Sequence, residues 1–418
     1  MIVPTEKSGR SVNLPWALAW RLAAGQIVSW GIFYYGFTVI AGPLQAETGW
    51  TRTFLHVGLS LGLLAWGACA YPVGWWIQRR GARGLMTMSS AMGGGALTLM
   101  GLSHTPALYL TAWVLLGVAM AGALYEPAFA VVTAAFGPAY RKGITLVTLV
   151  GGLASTAFVP LGQAAVDRWG WRMALVVLGV GHVMVCGPLH WWGLPRRPVG
   201  APVASVEQEH WRGWWQTFRA DLADPRFFGL AVWFAAHSAA FTGLIFLLAQ
   251  VLQARGVESG TIVSTIAIMG PMQVLGRLFL STRGENYSSL GTGLFAMLVL
   301  LGAVLVLLLL PPTAWWLGLF SGALGLGNGM LTIVRGTAVA ELFGRERYAE
   351  INGALAAPGV LARAAAPLVL AEIWSRVGDA RAVPLVVTLV VLGGLSALVW
   401  LRRTIAAGQV QGAARAGG

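Results

Sequence analysis

The sequence predicts an all-α membrane protein whose twelve transmembrane helices form two six-helix bundles with a parallel pseudo-two-fold repeat. Of the 418 residues, 57% are hydrophobic and only 10% are charged, whereas a soluble globular chain carries about 25% charged residues. The chain also contains twelve apolar runs close to the length of about 20 residues with which a helix crosses a bilayer. This composition excludes an ordinary soluble enzyme, a disordered chain and a coiled coil.

The predicted spans are the apolar runs in chain order, bounded by glycine, proline or charged residues. They cover residues 17–42, 53–76, 85–103, 107–135, 143–164, 173–194, 227–252, 260–281, 288–310, 314–341, 350–374 and 383–401. The polar segment 195–226 divides them six and six. The predicted organisation is therefore a six-helix bundle at 1–194, a cytoplasmic linker at 195–226 and a second six-helix bundle at 227–418.

The linker contains an aromatic periodicity of its own. Trp211, Trp214, Trp215 and Phe218 are spaced at i, i+3, i+4 and i+7, so they share one face of a helix. This pattern predicts a short interfacial helix on the inner membrane surface. The alternative is a Trp-rich linker without fixed structure.

The distribution of basic residues predicts the orientation. With both termini cytoplasmic, eighteen lysines and arginines lie in inside segments and six in outside segments, as the positive-inside rule requires. The net charge of +13 is explained by these short clusters, which favour membrane topology over a nucleic-acid partner. We therefore expect a multi-pass, monomeric protein of the cell inner membrane.

An internal repeat supports two duplicated halves. The loop after span 4, residues 136–141, has the sequence FGPAYR, and the loop after span 10, residues 343–348, has the sequence FGRERY. The offset of 207 residues also carries Gly122 onto Gly329 and Leu124 onto Leu331. Two six-span halves of the same orientation, related by an axis along the membrane normal, are a known transporter plan.

The loop after span 2 carries a family resemblance. Residues 74–83 (GWWIQRRGAR) resemble the loop signature of the major facilitator superfamily at Gly74, Gln78, Arg79, Gly81 and Arg83, although Gln78 stands where that signature has an acid. The sequence Gly-Trp-Arg at 170–172 is similar to a second recurrent feature of that superfamily. The resemblance implies a secondary transporter whose spans 1, 4, 7 and 10 line a central cavity.

Within that superfamily, the chain resembles the branch of monocarboxylate transporters and oxalate/formate antiporters. The resemblance lies in residues 35–37 (YGF), 43–44 (PL), 47–52 (ETGWTR) and the Gly276-Arg277 pair of span 8. It implies that Arg277 binds the carboxylate of the substrate. Gln273 stands where animal members have an acid, and span 1 lacks their lysine, so their proton-coupling scheme does not transfer residue by residue.

Few ionisable residues lie inside the spans, where each costs about 2.5–3.5 kcal/mol and is expected to face a cavity or a partner. Arg277 offers a planar fork that suits a carboxylate; the alternative is an ion pair with Glu126. Glu126 lies before Pro127, which should bend span 4. It is the proton-coupling candidate or, alternatively, a fixed arginine partner.

Further candidates surround these two residues. Arg335 is expected to be a second anion contact or an inner-gate pair, and Arg363 a helix contact. Lone histidines such as His56 and His237 favour packing roles, as do Cys69 and Cys186. The predicted substrate-binding set is Gln26, Trp30, Tyr34, Tyr35, Gln273, Arg277, Asn328 and Arg335.

The sequence predicts a secondary active transporter that moves a small organic anion, a monocarboxylate, by alternating access, with a proton as the candidate coupling ion. One alternative is a proton-driven efflux pump for hydrophobic or cationic compounds. A second, of another class, is a membrane sensor or receptor. No nucleotide loop or metal-spaced His/Cys cluster occurs in the sequence, so neither an enzyme nor a cofactor or metal site is expected.

Overall fold

The computed structural model describes residues 14–196, 219, 221–282 and 287–416, and over these residues the protein is helical without a β-strand. The helices are α1 Trp16–Ser29, α2 Gly36–Thr48, α3 Arg52–Arg80, α4 Ala82–Gly101, α5 Pro106–Ala123, α6 Tyr125–Phe136, α7 Tyr140–Gly151, α8 Ala154–Gly193, α9 Pro225–Ala254, α10 Ser259–Thr282, α11 Ser289–Leu309, α12 Ala314–Phe343, α13 Tyr348–Val377 and α14 Ala382–Ala416. The predicted interfacial helix at 211–218 lies outside the described residues.

The twelve predicted spans are confirmed. Nine helical segments in the described ranges are long and apolar enough to cross a membrane. One of them, Pro106–Gly193, comprises α5 to α8 and contains three predicted spans, which brings the count to eleven. Spans 5 and 6 are separated within α8 at Gly170, whose φ of 74° and ψ of 161° are not helical. The remaining predicted span, 85–103, corresponds to α4. Exposed tryptophans at helix ends, such as Trp192 and Trp315, lie where interfacial aromatic belts are expected.

Both copies of the repeated loop contain a glycine of positive φ at the same position. Helix α6 ends at Phe136 and α12 at Phe343, and each is followed by a glycine of positive φ, 58° at Gly137 and 78° at Gly344. Glycine adopts this conformation without the steric cost that other residues meet. The two positive-φ glycines are therefore 207 residues apart, the same offset that relates the two loops in the sequence.

The two halves meet along a seam of small residues between α3 and α13. Gly74 packs so closely that a Cβ built on it would lie 3.3 Å from the Cα of Glu350. Gly353, one turn further along α13, packs in the same way against Ala70 and Gly74. Small residues at this spacing let helix backbones approach within a membrane, where van der Waals packing drives association. The seam therefore brings the halves into contact beside the central cavity.

Three predicted spans differ from continuous helices, and one of them, span 5, is interrupted between α7 and α8. Span 1 contains a π-helical turn at Trp30–Tyr35 between α1 and α2. Span 4 was expected to bend at Pro127, but it breaks earlier, at Leu124, which is extended with φ −85° and ψ −153°. Pro127 consequently lies in the first turn of α6, where its missing N–H costs no helical hydrogen bond. The equivalent helix α12 has Val334 at the corresponding position and runs unbroken.

Candidate functional site

A cavity of about 400 Å³ lies between the two halves at the middle of the bundle. Its lining from the first half is largely aromatic, and its lining from the second half carries three arginines and most of the amide groups. The first half contributes Trp30, Tyr34, Tyr35, Trp66, Tyr125, Glu126, Phe129, Gly151, Gly152, Leu153, Ser155 and Thr156. The second half contributes His237, Ser238, Phe241, Thr242, Gly270, Pro271, Gln273, Val274, Arg277, Asn328, Leu331, Thr332, Arg335, Asn352 and Arg363.

The π-helical turn builds much of the aromatic wall. Trp30, at its start, makes edge-to-face contacts with Tyr34 and Trp66, at ring-centroid distances of 5.3 and 5.9 Å. It also contacts Tyr125 of α6 at 4.9 Å. Single π-helical turns inside α-helices occur frequently at functional sites. Here the turn brings Trp30, Tyr34 and Tyr35 to the cavity from one short segment.

The break at Leu124 is held by Gln26. Its amide nitrogen donates hydrogen bonds to the carbonyl oxygens of Ala123, at 2.8 Å, and Leu124, at 3.2 Å. These carbonyls lie at the end of α5, where helical partners are missing, and Gln26 itself is fully buried. Gln26 was expected to contact substrate; the structure instead places it behind the wall, outside the cavity lining.

Glu126 forms an ion pair with Arg335 across the cavity. The two residues belong to α6 and α12, one from each half, and the Arg335 Nη2 to Glu126 Oε1 distance is 2.8 Å. The other carboxylate oxygen, Oε2, has no hydrogen-bond partner among the described residues. Glu126 lies in the first turn of α6, where the helix dipole favours a negative charge.

Arg277 is buried without an acidic partner in the described part of the chain. Its side chain comes from α10 and reaches Gly152, where span 5 is interrupted between α7 and α8. A Cβ built on Gly152 would overlap Nη1 of Arg277. The residue is only 5% exposed, and neither Nε nor Nη1 has a hydrogen-bond partner within the described ranges. A buried guanidinium with unused donors is matched to an anion that supplies acceptors.

The remaining groups of the second half form a polar wall. Asn328 donates to the side-chain oxygen of Gln273 at 3.1 Å, which joins α12 to α10. The Arg363 guanidinium lies 5.5 Å from the centre of the Trp66 ring, a cation–π contact between the halves. His237, for which the sequence favoured a packing role, lines the cavity, whereas His56 is exposed and contacts Phe37.

The residues of the loop signature lie at one end of the inter-half seam. The amide of Gln78 donates to the backbone carbonyl of Glu346 in the other half. Gly81 has a positive φ of 81° where α3 turns into α4. Arg79 and Arg83 stack on Trp75 and Trp191, each at 4.4 Å. We call this end of the molecule the signature end.

Ion pairs and hydrogen bonds between the halves close the signature end. Arg141 of α7 pairs with Glu341 of α12 at 2.6 Å and also donates to the carbonyl of Tyr287. Tyr71 donates to Glu350 at 3.0 Å. On the second half, Arg347 contacts Asp221 at 2.9 Å. Burial raises the pKa of the Asp221 carboxyl, and Arg347 opposes that shift.

At the opposite end, the contacts of Arg172 and Arg255 stay within one half in the described part of the chain. Arg172 pairs with Glu47 of the first half at 2.7 Å. Arg255 donates to the carbonyls of Leu307 and Leu310 in the second half. The inter-half bonds given above lie at the signature end.

Several lining residues were not singled out from the sequence. Trp66, Tyr125, Thr332 and Asn352 all face the cavity. Tyr125 was detectable as the neighbour of Glu126, and Asn352 as a polar residue in an apolar span. Trp66 carries no such signal, because an aromatic residue in a span is equally expected in a packed core.

Comparisons with known proteins place this geometry in context. The sequence profile of the Major Facilitator Superfamily matches residues 22–367. No curated protein sequence matches the chain significantly. The human organic anion transporter TETRAN has a similar solved structure, with a TM-score of 0.70 and 17% identity over 91% of this chain and 99% of that chain.

Two structures of the fucose transporter FucP are also similar. The first, in an outward conformation, has a TM-score of 0.72 and 11% identity over 94% of this chain and 99% of that chain. The second, a single-substitution variant of the Escherichia coli fucose:proton symporter, has a TM-score of 0.72 and 13% identity over the same shares. At these identities the likeness concerns the fold.

Proposed function

The chain belongs to the major facilitator superfamily, a family of transporters, and we propose that its cargo is a small organic anion, a monocarboxylate. The profile match covers most of the chain, and the fold supports secondary transport by alternating access around the central cavity. We also propose that the chain belongs to the branch of monocarboxylate transporters and oxalate/formate antiporters, which its sequence resembles.

One observation carries the anion proposal. Arg277 lies buried in the cavity with Nε and Nη1 unpaired, while the cavity carboxylate, Glu126, is engaged by Arg335. An isolated guanidinium is costly inside a membrane protein, and a carboxylate cargo would supply an opposite charge and acceptor oxygens to it. A cationic cargo would instead meet like charge.

Glu126 is the proposed proton site. Protonation of its carboxyl would remove the charge that holds Arg335 across the cavity. The ion pair between α6 and α12 would then weaken, and Arg335 would become available as a second contact for the anion. Proton uptake would in this way be coupled to the relative movement of the halves.

We assign the signature end to the cytoplasm, with both termini on that side of the cell inner membrane. The basic clusters of the sequence support this orientation through the positive-inside rule. Because inter-half bonds close this end, the described conformation would face outward. The likeness to FucP in an outward conformation is consistent with that assignment.

Ligand-induced stabilisation tests the proposal. A ligand that binds only the native state raises its apparent melting temperature by mass action. Purified protein is heated with a panel of carboxylates, lipophilic amines and neutral compounds. We expect stabilisation by one or more carboxylates, and loss of that shift in Arg277→Ala.

The matched control is Arg376→Ala, because Arg376 is exposed and pairs only with its helix neighbour Glu372 in the described structure. This variant should retain the carboxylate shift. Stabilisation by amines or neutral compounds, with no response to any carboxylate, would overturn the proposal in favour of an efflux pump for hydrophobic or cationic compounds.

A further inference from the structure

Building on the proposed organic-anion transport, we infer that the cargo is an aryl carboxylate, an acid whose carboxylate is attached directly or through one carbon to a planar ring. The inference joins two observations, the unpaired guanidinium of Arg277 and the aromatic wall that lies next to it. The guanidinium alone would suit any carboxylate, and the aromatic wall alone would suit any aromatic compound.

Cavity volume favours a cargo larger than a short aliphatic acid. The cavity holds about 400 Å³, whereas a three-carbon acid has the bulk of about three water molecules, or roughly 100 Å³. A ring-bearing acid fills more of this space and removes more apolar surface from water. Because hydrophobic stabilisation scales with the apolar area buried, the larger cargo gains more affinity in this cavity.

The aromatic wall places four partly buried rings at the cavity. Trp30, Tyr34, Tyr35 and Tyr125 are each only partly buried, and all four line the cavity. Trp30 meets Tyr34 edge to face. Phe129 covers one face of Tyr125, on which it stacks with an interplanar angle of 12°. Offset stacking and edge-to-face contact are the arrangements that a further aromatic ring prefers.

The cation and the aromatic surface are adjacent. Gly151 and Gly152 are consecutive, and a Cβ built on Gly151 would lie 2.7 Å from the hydroxyl oxygen of Tyr125. A Cβ built on Gly152 would overlap Nη1 of Arg277. Since consecutive Cα atoms are about 3.8 Å apart, the Tyr125 hydroxyl and the Arg277 guanidinium lie against neighbouring residues. A carboxylate on Arg277 would therefore place a directly attached ring beside Tyr125 and Trp30.

The opposite wall offers the ring a smaller aromatic surface. There many of the lining groups are polar, among them the hydrogen-bonded pair Gln273 and Asn328, and Phe241 is the single phenylalanine, tyrosine or tryptophan that the described residues of this half contribute. This asymmetry orients the cargo, with its ring toward the first half and its charge toward the arginine of the second half. Movement of the halves would then separate the two groups that hold the cargo.

Binding of four matched probes tests the inference. Dissociation constants are measured by isothermal titration calorimetry for benzoate, cyclohexanecarboxylate, acetate and benzamide on the full-length protein. Benzoate and cyclohexanecarboxylate share charge and approximate bulk but differ in aromaticity, and benzamide keeps the ring without the charge. We expect benzoate to bind at least tenfold more tightly than acetate, cyclohexanecarboxylate to be intermediate, and benzamide to bind more weakly than acetate.

Variants of the wall locate the ring site. Trp30→Leu should reduce the advantage of benzoate over cyclohexanecarboxylate roughly three- to tenfold, the range expected for one aromatic contact, with acetate affinity unchanged within twofold. Trp30→Phe should restore most of that advantage. The control Trp192→Leu, at an aromatic residue that is 76% exposed outside the cavity, should behave as the wild type.

The outcomes separate this inference from the proposed function. Equal affinities for acetate and benzoate, both abolished in Arg277→Ala, would overturn the aryl cargo and leave anion transport standing. If none of the acids binds the wild-type protein, the proposed function itself fails. If Trp30→Leu does not fold, the ranking of the four probes on the wild-type protein and on Trp30→Phe still tests the aryl carboxylate inference.

Discussion

Nη2 of Arg335 lies 2.8 Å from Oε1 of Glu126, and this ion pair joins the two halves of the protein across the central cavity. Because Glu126 is paired with Arg335, its carboxylate is not available to neutralise Arg277. One arginine of the cavity is thus held by a protein acid, and another, Arg277, lines the cavity with two buried donors that have no hydrogen-bond partner among the described residues. This difference underlies the proposal that Glu126 is the coupling group and Arg277 the cargo-binding group.

Substitution of Glu126 by glutamine should abolish the pH dependence of transport. The amide keeps the size of the side chain but cannot take up or release a proton, so the proposed coupling step is removed. Transport into proteoliposomes would be measured with and without an imposed pH gradient. We expect stimulation by the gradient in the wild type and none in Glu126→Gln, while exchange of cargo for cargo persists.

The control for this experiment is Glu372→Gln. Glu372 makes an exposed i,i+4 pair with Arg376 on one helix, and pairs of this kind contribute little. Gradient stimulation should be unaffected in the control. An unchanged response to pH in Glu126→Gln would exclude the proton role and leave Glu126 as a fixed structural partner of Arg335.

Replacement of Gly152 by alanine should mimic the loss of Arg277 without touching the arginine. The added Cβ would occupy the position of Nη1, so the guanidinium must move away from its place beside Tyr125. A hydrogen bond to a charged group contributes about 1.5–3 kcal/mol, so cargo affinity should fall roughly tenfold or more. Titration of the purified variant with the preferred carboxylate measures this loss.

Gly181→Ala is the matched control, because a Cβ on that glycine of α8 meets no atom within 4 Å. Both variants should fold, and only Gly152→Ala should bind the cargo more weakly. Wild-type affinity in Gly152→Ala would contradict the position assigned to Arg277 as the carboxylate contact.

Features with a local physical cause were predictable from the sequence. The twelve spans follow from the length and hydropathy of apolar runs, and the repeated turns at Gly137 and Gly344 follow from two similar loops. Glu126 and Arg277 were singled out because a charge inside a span requires a partner or a cavity. These inferences need no knowledge of how the helices pack.

Pairings between the halves were not predictable in the same way. The sequence left open whether Glu126 pairs with Arg277, and the structure pairs it with Arg335, because the choice depends on the rotation of α6 against α10 and α12. Trp66 could not be distinguished from a core aromatic residue. The sequence predicted a substrate contact for Gln26, but its amide instead bonds the carbonyls of Ala123 and Leu124. Those carbonyls lack helical partners because the helix breaks at Leu124, and nothing in the sequence marks that break.

Gln26→Leu should destabilise the protein with little effect on cargo selectivity. The substitution removes both hydrogen bonds to the carbonyls of Ala123 and Leu124 and leaves them buried without that donor. Unsatisfied buried groups cost about 1–3 kcal/mol each, so the melting temperature should fall measurably. Gln163→Leu, which removes only an exposed bond to Asp167, is the control. A large change in carboxylate affinity at unchanged melting temperature would instead identify Gln26 as a substrate contact.

Weakening the bonds at the signature end should shift the protein toward its opposite conformation. Glu341 accepts hydrogen bonds from Arg141 and from the backbone N–H of Ser289, so Glu341→Gln removes a charged link between the halves. A loss of about 1–2 kcal/mol changes the ratio of the two conformations roughly five- to thirtyfold. Spin labels placed on the two halves at this end would report the change as a longer distance.

A longer distance between the spin labels would show that these bonds hold the signature end closed, whereas an unchanged distance would show that they do not. Tyr71→Phe removes a second link, to Glu350, and should open the same end without altering any charge. Because the two links lie on different helix pairs and share no partner, their effects on the conformational free energy should add. Arg376→Gln, which breaks only an exposed pair within α13, should leave the distance distribution unchanged. Opening in neither Glu341→Gln nor Tyr71→Phe would mean that the packed seam between α3 and α13, rather than these bonds, keeps this end closed.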